Sequence, residues 1–183
     1  SERETFTEAA KLAQYWSVTQ VPRKTQKVVA YLEPEEFTSM WVGNKAVFRT
    51  RMMIEDGGEL LILAPGLKAF GENEEVDRLI RRYGYRGTEK IMELVEEGAF
   101  QGAAVVSAHL IHGSSEGRFS ITYAVDPRLM SREEIENVGY QYMELGTALE
   151  RYPIDRLENG FQIMPDGEEV YVVKAPAVGL WRG

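Results

Sequence analysis

Apolar residues in this chain fall into short continuous runs separated by longer amphipathic stretches. "KVVAYL" (27–32) and "ELLILAP" (59–65) are bounded by polar and turn residues. Each predicts a strand buried on both faces. "RFSITYAV" (118–125) predicts a third strand, and "YQYMEL" (140–145) a short fourth.

The stretches between them carry helix signals. Thr5, three residues before Glu8, forms a capping box that opens an amphipathic helix near the start of the chain. "WVGNKAVFRTRM" (41–52) begins a helix that runs to about Ile54 and is stopped by "EDGG", with Gly57 or Gly58 as a left-handed cap. "ENEEVDRLIRRYG" has acids in its first turn and arginines in its last, matching the helix dipole. Thr88 starts "TEKIMELVEEG", and "FQGAAVVSAHLIHG" is a mostly apolar helix capped by Gly113. Ser131 and Glu134 hold the capping-box spacing, and "GTALERY" is a further helix. "FQIMPDGEEVYVVK" predicts a hairpin that turns at Asp166 and Gly167.

Strands alternating with helices through short connections predict an α/β fold in three layers. The sheet is mostly parallel, with helices on both faces and an antiparallel hairpin at the C-terminal end.

Composition narrows this picture. The 183 residues suit one α/β domain with a core that needs no staples. A net charge of −8, with no long basic run, excludes general affinity for nucleic acid. There are no cysteines, which removes disulfides, thiolate catalysis and thiolate metal sites and suits a cytoplasmic protein. No apolar run reaches the length of a membrane span.

Three stretches carry candidate chemistry. The first is the helix from residue 41. At about 100° per residue, Trp41, Lys45, Phe48 and Met52 share one stripe, while Val42, Ala46 and Met53 form another. One face serves a crossover helix, so the second is available to a cleft or another domain. Lys45 on that face either lays its stem along Trp41 and reaches water, or places a cation in a dry site for a carboxylate or developing oxyanion. Arg49, one turn on, is a helper for the same anion, and Arg51 points elsewhere.

The second stretch is "HLIHGSSEGRF" (109–119). His109 and His112 share a helix face, and with Glu116 they could ligate a metal, although the motif lacks metalloprotease spacing. The loop also suits hydroxyl recognition by Ser114, Ser115 and Glu116 and carboxylate recognition by Arg118. The third is "APGLKAFGEN" (64–73), which leaves the C-terminal end of a buried strand, where open α/β sheets place ligands. It carries neither GxGxxG nor a phosphate-binding lysine motif. "RRYGYRG" (81–87) reads as a helix end and turn.

The blocks "WVGNKAVFRTRMMIEDGGELLILAPGLKAFGE", "RLIRRYGYRGT", "SAHLIHGSSEGRFSITYA", "LMSREEIENVGYQYMEL" and "PDGEEVYVVKAPAVGLW" together resemble the C-terminal domain of the lactate racemase family. Within that family the resemblance is strongest to members described as D-mannonate epimerases, and it runs from about Lys27 to Trp181. It implies a two-domain enzyme acting on 2-hydroxy acids. In such an enzyme an N-terminal domain carries a nickel-pincer nucleotide, held through a lysine and ligated by histidine, together with a pair of catalytic histidines. The C-terminal domain closes over the cleft and presents a Tyr-Gln-x-x-Lys segment.

Lys45 falls on that lysine, Trp41 on the tyrosine and Val42 on the glutamine. A substrate-contacting tryptophan of the family has no counterpart in "AFQGAAVVSAH". Both departures suit a substrate larger than lactate, such as the sugar acid D-mannonate. The expectation is therefore a substrate-closing domain with Lys45 as the catalytic cation. Substrate contacts would come from Trp41, Arg49, His109, His112, Ser114, Ser115, Glu116 and Arg118. The cofactor would belong to an N-terminal domain outside this chain, and this chain alone would be inactive and hold no metal. An apolar patch around Trp41 and Phe48 would then await that domain or a second copy in a homodimer. The alternative is a stand-alone small-molecule binding or interaction domain.

Overall fold

The computed structural model describes residues 18–183. The capping box at Thr5 and Glu8 lies outside them. Six strands form the main sheet: β2 (Thr25–Tyr31), β3 (Ile54–Ala64), β4 (Ser120–Val125), β5 (Gln141–Glu144), β6 (Gly160–Ile163) and β7 (Glu169–Val173). Their order is β5-β4-β3-β2-β7-β6, parallel throughout except for the β6–β7 hairpin at one edge. A separate pair joins β1 (Val18–Gln20) to β8 (Leu180–Arg182) in parallel. The expected class holds: a mostly parallel sheet between helices, with a C-terminal antiparallel hairpin. Because β7 pairs with β2, the second arm of the hairpin lies inside the sheet.

Strand alternation builds two cores. Val28, Ala30, Leu60, Ile62, Ile121 and Tyr123 face one side, and Val29, Leu61, Leu63, Ala124, Val170 and Val172 face the other. The first side is covered by α1 (Met40–Gly43), α2 (Lys45–Thr50), α3 (Glu74–Tyr83), α4 (Thr88–Glu96), α5 (Ala104–His112) and α6 (Arg132–Asn137). The second is covered by α7 (Leu145–Arg151) with Ile154 and Met164. Right-handed crossovers from β2 through β5 put their helices on one face, and the step from β5 back to β7 puts α7 on the other. No described helix is long and apolar enough to cross a membrane.

Several local signals act as expected. The Ser131 hydroxyl accepts from the Glu134 amide while the Glu134 carboxylate accepts from the Ser131 amide, closing the capping box. The Asn73 side chain caps α3 by accepting from the Val76 amide.

The helix expected from Trp41 to Ile54 is different. It breaks at Asn44 and ends at Thr50, whose hydroxyl bonds the Ala46 carbonyl. "EDGG" does not stop a helix; it opens β3. Long-range partners capture it. The Thr25 amide bonds the Met53 carbonyl, the Gly57 amide bonds the Arg118 carbonyl, and the Arg118 guanidinium reaches the Ile54 carbonyl and Asp56. Gly57, at φ 82, takes the bend within the strand.

The second face carries a polar network at the start of the strands. Lys27 lies between Glu59 (2.9 Å) and Glu168 (3.2 Å), and its ammonium sits over the Tyr152 ring. The Tyr152 hydroxyl donates to Glu168, and Arg151 bonds both. Burial pushes the Glu168 carboxyl up. Hydrogen bonds from Tyr152 and Arg151 and the charge of Lys27 outweigh that and hold it below its ordinary value of 4.5. A depressed carboxyl pKa stabilises the fold above the unfolded value, and that stability is lost as pH falls through the folded value. Thermal melts should therefore decline below about pH 4.5. Glu168→Gln should cost about 1–2 kcal/mol at neutral pH and flatten that decline.

Candidate functional site

The site is built on the break between α1 and α2. Asn44 occupies it with right-handed dihedrals (φ −67, ψ −3) and is fully buried. Its amide bridges two buried tyrosines. Tyr123 on β4 donates to Asn44 Oδ1 at 2.6 Å, and Asn44 Nδ2 donates to the Tyr140 hydroxyl at 2.9 Å. Tyr140 in turn donates to the Gly113 carbonyl at 2.8 Å. The donors run one way, from β4 through the helix break to the end of α5, so each bond polarises the next.

Gly113 was expected to cap α5 in the left-handed region. It is right-handed at φ −76, and glycine is required for a different reason. A Cβ there would lie 2.5 Å from the Tyr85 ring and 2.7 Å from Asn44 Nδ2.

Aromatic rings continue the wall. Tyr85 stacks on Tyr140 with centroids 4.6 Å apart, and its hydroxyl lies 3.0 Å from His109 Nε2. His109 stacks on Trp41 at 4.2 Å. His112, one turn further along α5, meets the edge of Phe48 at 6.4 Å. So the sequence stripe of Trp41 and Phe48 lies along the C-terminal end of α5. The apolar patch expected there is partly covered, because His109 and His112 shield the two half-buried rings. On this stripe only Met52 is an exposed large hydrophobic residue.

Lys45 opens α2 three residues before Phe48 and so shares its helix face, while the break at Asn44 separates it from Trp41 on α1. It and Arg49 are half-buried. None of the ion pairs among the described residues includes either one. A half-buried cation that no described carboxylate pairs with is able to bind an anion supplied from outside.

Burial, with a lesser push from His112, lowers His109 to about 4. The ring beside Trp41 is therefore neutral at physiological pH and adds no competing charge.

The other candidates sit elsewhere. The Ser114 hydroxyl accepts from the Glu116 amide, and the Ser114 carbonyl accepts from Arg51. The Glu116 carboxylate accepts from the amide and the hydroxyl of Thr88, capping α4 from a distant loop. Arg118 is tied to Asp56 at 2.7 Å and to the carbonyls of Ile54 and Arg51. Ser114, Ser115 and Glu116 line a cleft of about 480 Å³ to which Trp41, Lys45 and Arg49 contribute nothing. The structure thus gathers Trp41, Lys45, Arg49, His109 and His112 around one helix pair and leaves the loop 114–118 apart. Among the described residues no three His, Asp or Glu side chains are placed to hold a metal ion.

Sequence reasoning missed Asn44, Tyr85, Tyr123 and Tyr140. Asn44 carried a faint signal, as a weak helix former inside an apolar helix.

No protein-family model matches this chain, and no curated protein matches it. Solved structures do. A protein from Thermotoga maritima superposes with a TM-score of 0.70 at 19% identity, over 97% of this chain and 41% of that one. The lactate racemase apoprotein from Thermoanaerobacterium thermosaccharolyticum superposes with a TM-score of 0.65 at 11% identity, over 97% and 40%. This chain shares its fold with part of a lactate racemase. It spans about two fifths of the length of either solved chain.

Asn44→Ala should leave the Tyr123 hydroxyl buried without a partner and cost about 2–3 kcal/mol in urea unfolding. A double-mutant cycle with Tyr123→Phe should return most of that loss, and a cost below about 0.5 kcal/mol would remove the amide from its structural role. NMR titration should find the His109 ring neutral until about pH 4. Because the unfolded ring protonates first, near 6.5, stability should fall as pH drops from about 6.5 to 4. His109→Phe should reduce that slope.

Proposed function

We propose that this chain is the substrate-closing domain of a racemase or epimerase of 2-hydroxy acids, with Lys45 as the group that binds the substrate carboxylate or the oxyanion formed during reaction. The observation that carries the reading is the half-buried Lys45, in no ion pair among the described residues and on the Phe48 side of α2, in a chain that shares its fold with part of a lactate racemase. A second domain closing on this face would exclude water. That would strengthen the attraction between Lys45 and an anion several-fold.

The chain's own residues bind and position. Lys45 supplies charge and hydrogen-bond donors, and Arg49 adds a second cation one turn on. The Trp41–His109 stack offers a flat, neutral wall. In the family this chain resembles, a nickel-pincer nucleotide supplies hydride transfer at the α-carbon. The resemblance assigns that group to the N-terminal domain, which this chain's residues would face. Val42 stands where the resemblance implies a glutamine, so the lactate-type contact is absent. The preferred substrate is a larger acid of the aldonate class, such as D-mannonate.

The test is turnover by the protein that carries this sequence, read as racemisation of lactate and epimerisation of D-mannonate. Lys45→Ala should lower kcat/KM by about 10²–10³-fold, the usual cost of one oxyanion donor. Unchanged turnover in that variant would remove Lys45 from the site. Absence of turnover on any 2-hydroxy acid in the native protein would remove the reading itself.

A further inference from the structure

The cleft behind Tyr85 is a built cavity that the Lys45 face does not use. Arg86 in the turn before α4, Glu89 in its first turn, and Ser115 and Glu116 in the loop after α5 all line it. Tyr85, Tyr140, Phe119 and Ile121 also border it but are almost wholly buried, so the accessible lining is mainly polar, with Gln141 at the start of β5 among it. Its volume of about 480 Å³ falls in the range of small-molecule sites.

Two features point to a ligand. Glu116 is the non-glycine residue of the described chain with positive φ, at 53°. It is held there by its two bonds to Thr88, which fix the 113–118 loop as a rim against the start of α4. Backbone strain of this kind persists where surrounding structure enforces it, and it concentrates at ligand clamps. Second, the lining offers hydrogen-bonding groups that other side chains leave open. The Ser115 hydroxyl, the Glu89 carboxylate and the Gln141 amide nitrogen have no side-chain hydrogen bond among the described residues, although the Gln141 carbonyl accepts from Thr122 at 3.3 Å. Lys90, by contrast, is paired with Glu93.

We infer that this cleft binds an uncharged polyhydroxylated molecule, a sugar or sugar-like polyol, between the Glu116 rim and Gln141. Donors and acceptors side by side along a mainly polar lining match a molecule that carries several hydroxyls. Two lining cations, Arg86 and Lys90, stand against three carboxylates, Glu89, Glu93 and Glu116. That balance disfavours phosphate and sugar acids and separates this site from the Lys45 face, which is built for an anion. The two share a wall. Tyr85 lines the cleft, bonds His109 and through it backs Trp41, so an occupant registers at the Trp41 indole.

The experiment is an NMR titration of the ¹⁵N-labelled chain with D-glucose, sodium D-gluconate and inorganic phosphate in parallel. Glucose should give saturable shifts at residues 86–90, 114–117 and 139–141 and at the Trp41 indole N–H. Ser115→Ala and Gln141→Ala should each weaken binding about five-fold, the equivalent of one hydrogen bond, with spectra elsewhere unchanged. Absence of saturable shifts with glucose, shifts confined to other residues, or binding of gluconate or phosphate tighter than glucose would each overturn the inference. The outcome does not depend on the role of Lys45, because the readout is binding at the cleft and no turnover is measured.

Discussion

One buried amide organises the functional half of this molecule. Asn44 uses both ends of its side chain, accepting from Tyr123 and donating to Tyr140. A buried amide left unpaired would cost several kcal/mol, so the helix cannot slide or rotate without losing both bonds. The bridge fixes three things at once: the break between α1 and α2, the distance from that break to β4, and the end of α5 through Tyr140 and Gly113. Lys45 follows Asn44 directly, so its place on the helix face is set by a contact to the sheet core. Trp41 and His109 are then held against each other from the two sides of the same network.

This arrangement reconciles a cation with a helix that looked like pure core. Ala46, Val47 and Thr50 are buried beneath the helix pair, while Trp41, Lys45, Phe48 and Arg49 are half-exposed on the other side. The exposed side of the helices is therefore aromatic and cationic, and among the described residues no ion pair includes Lys45 or Arg49. The separate cleft behind Tyr85 has the opposite character, with carboxylates in excess and hydroxyl-matching groups along its walls. The two are joined by the stacked rings of Tyr85, His109 and Trp41. A cationic face and a carboxylate-rich cleft thus stand back to back.

Much of the sheet was legible in the sequence because its signals are local. Central strands buried on both faces read as unbroken apolar runs, and the Ser131–Glu134 box and the Asp166–Gly167 turn depend on residues a few positions apart. What was not legible is long-range. "EDGG" reads as a helix stop until Arg118 and Thr25, distant in sequence, draw residues 53–57 into a strand. Asn44 reads as an ordinary helix residue until Tyr123 and Tyr140 converge on it. Gly113 reads as a cap until the Tyr85 ring is seen to occupy the space a side chain would need. Lys45, Phe48 and Arg49 could be placed together on one helix because stripe periodicity is local. The loop residues Ser114 to Arg118 were grouped with them by their chemistry alone, and Glu116 and Arg118 bond Thr88 and Asp56.

The central claim is that Lys45 meets the carboxylate of a 2-hydroxy acid. Lysine footprinting of the protein that carries this chain tests it most directly. The rate of reductive methylation would be followed residue by residue, with and without saturating D-mannonate. The account predicts that Lys45 is protected by the acid while Lys24 and Lys68 react as before. Methylation of Lys45 at an undiminished rate under saturating substrate would contradict it.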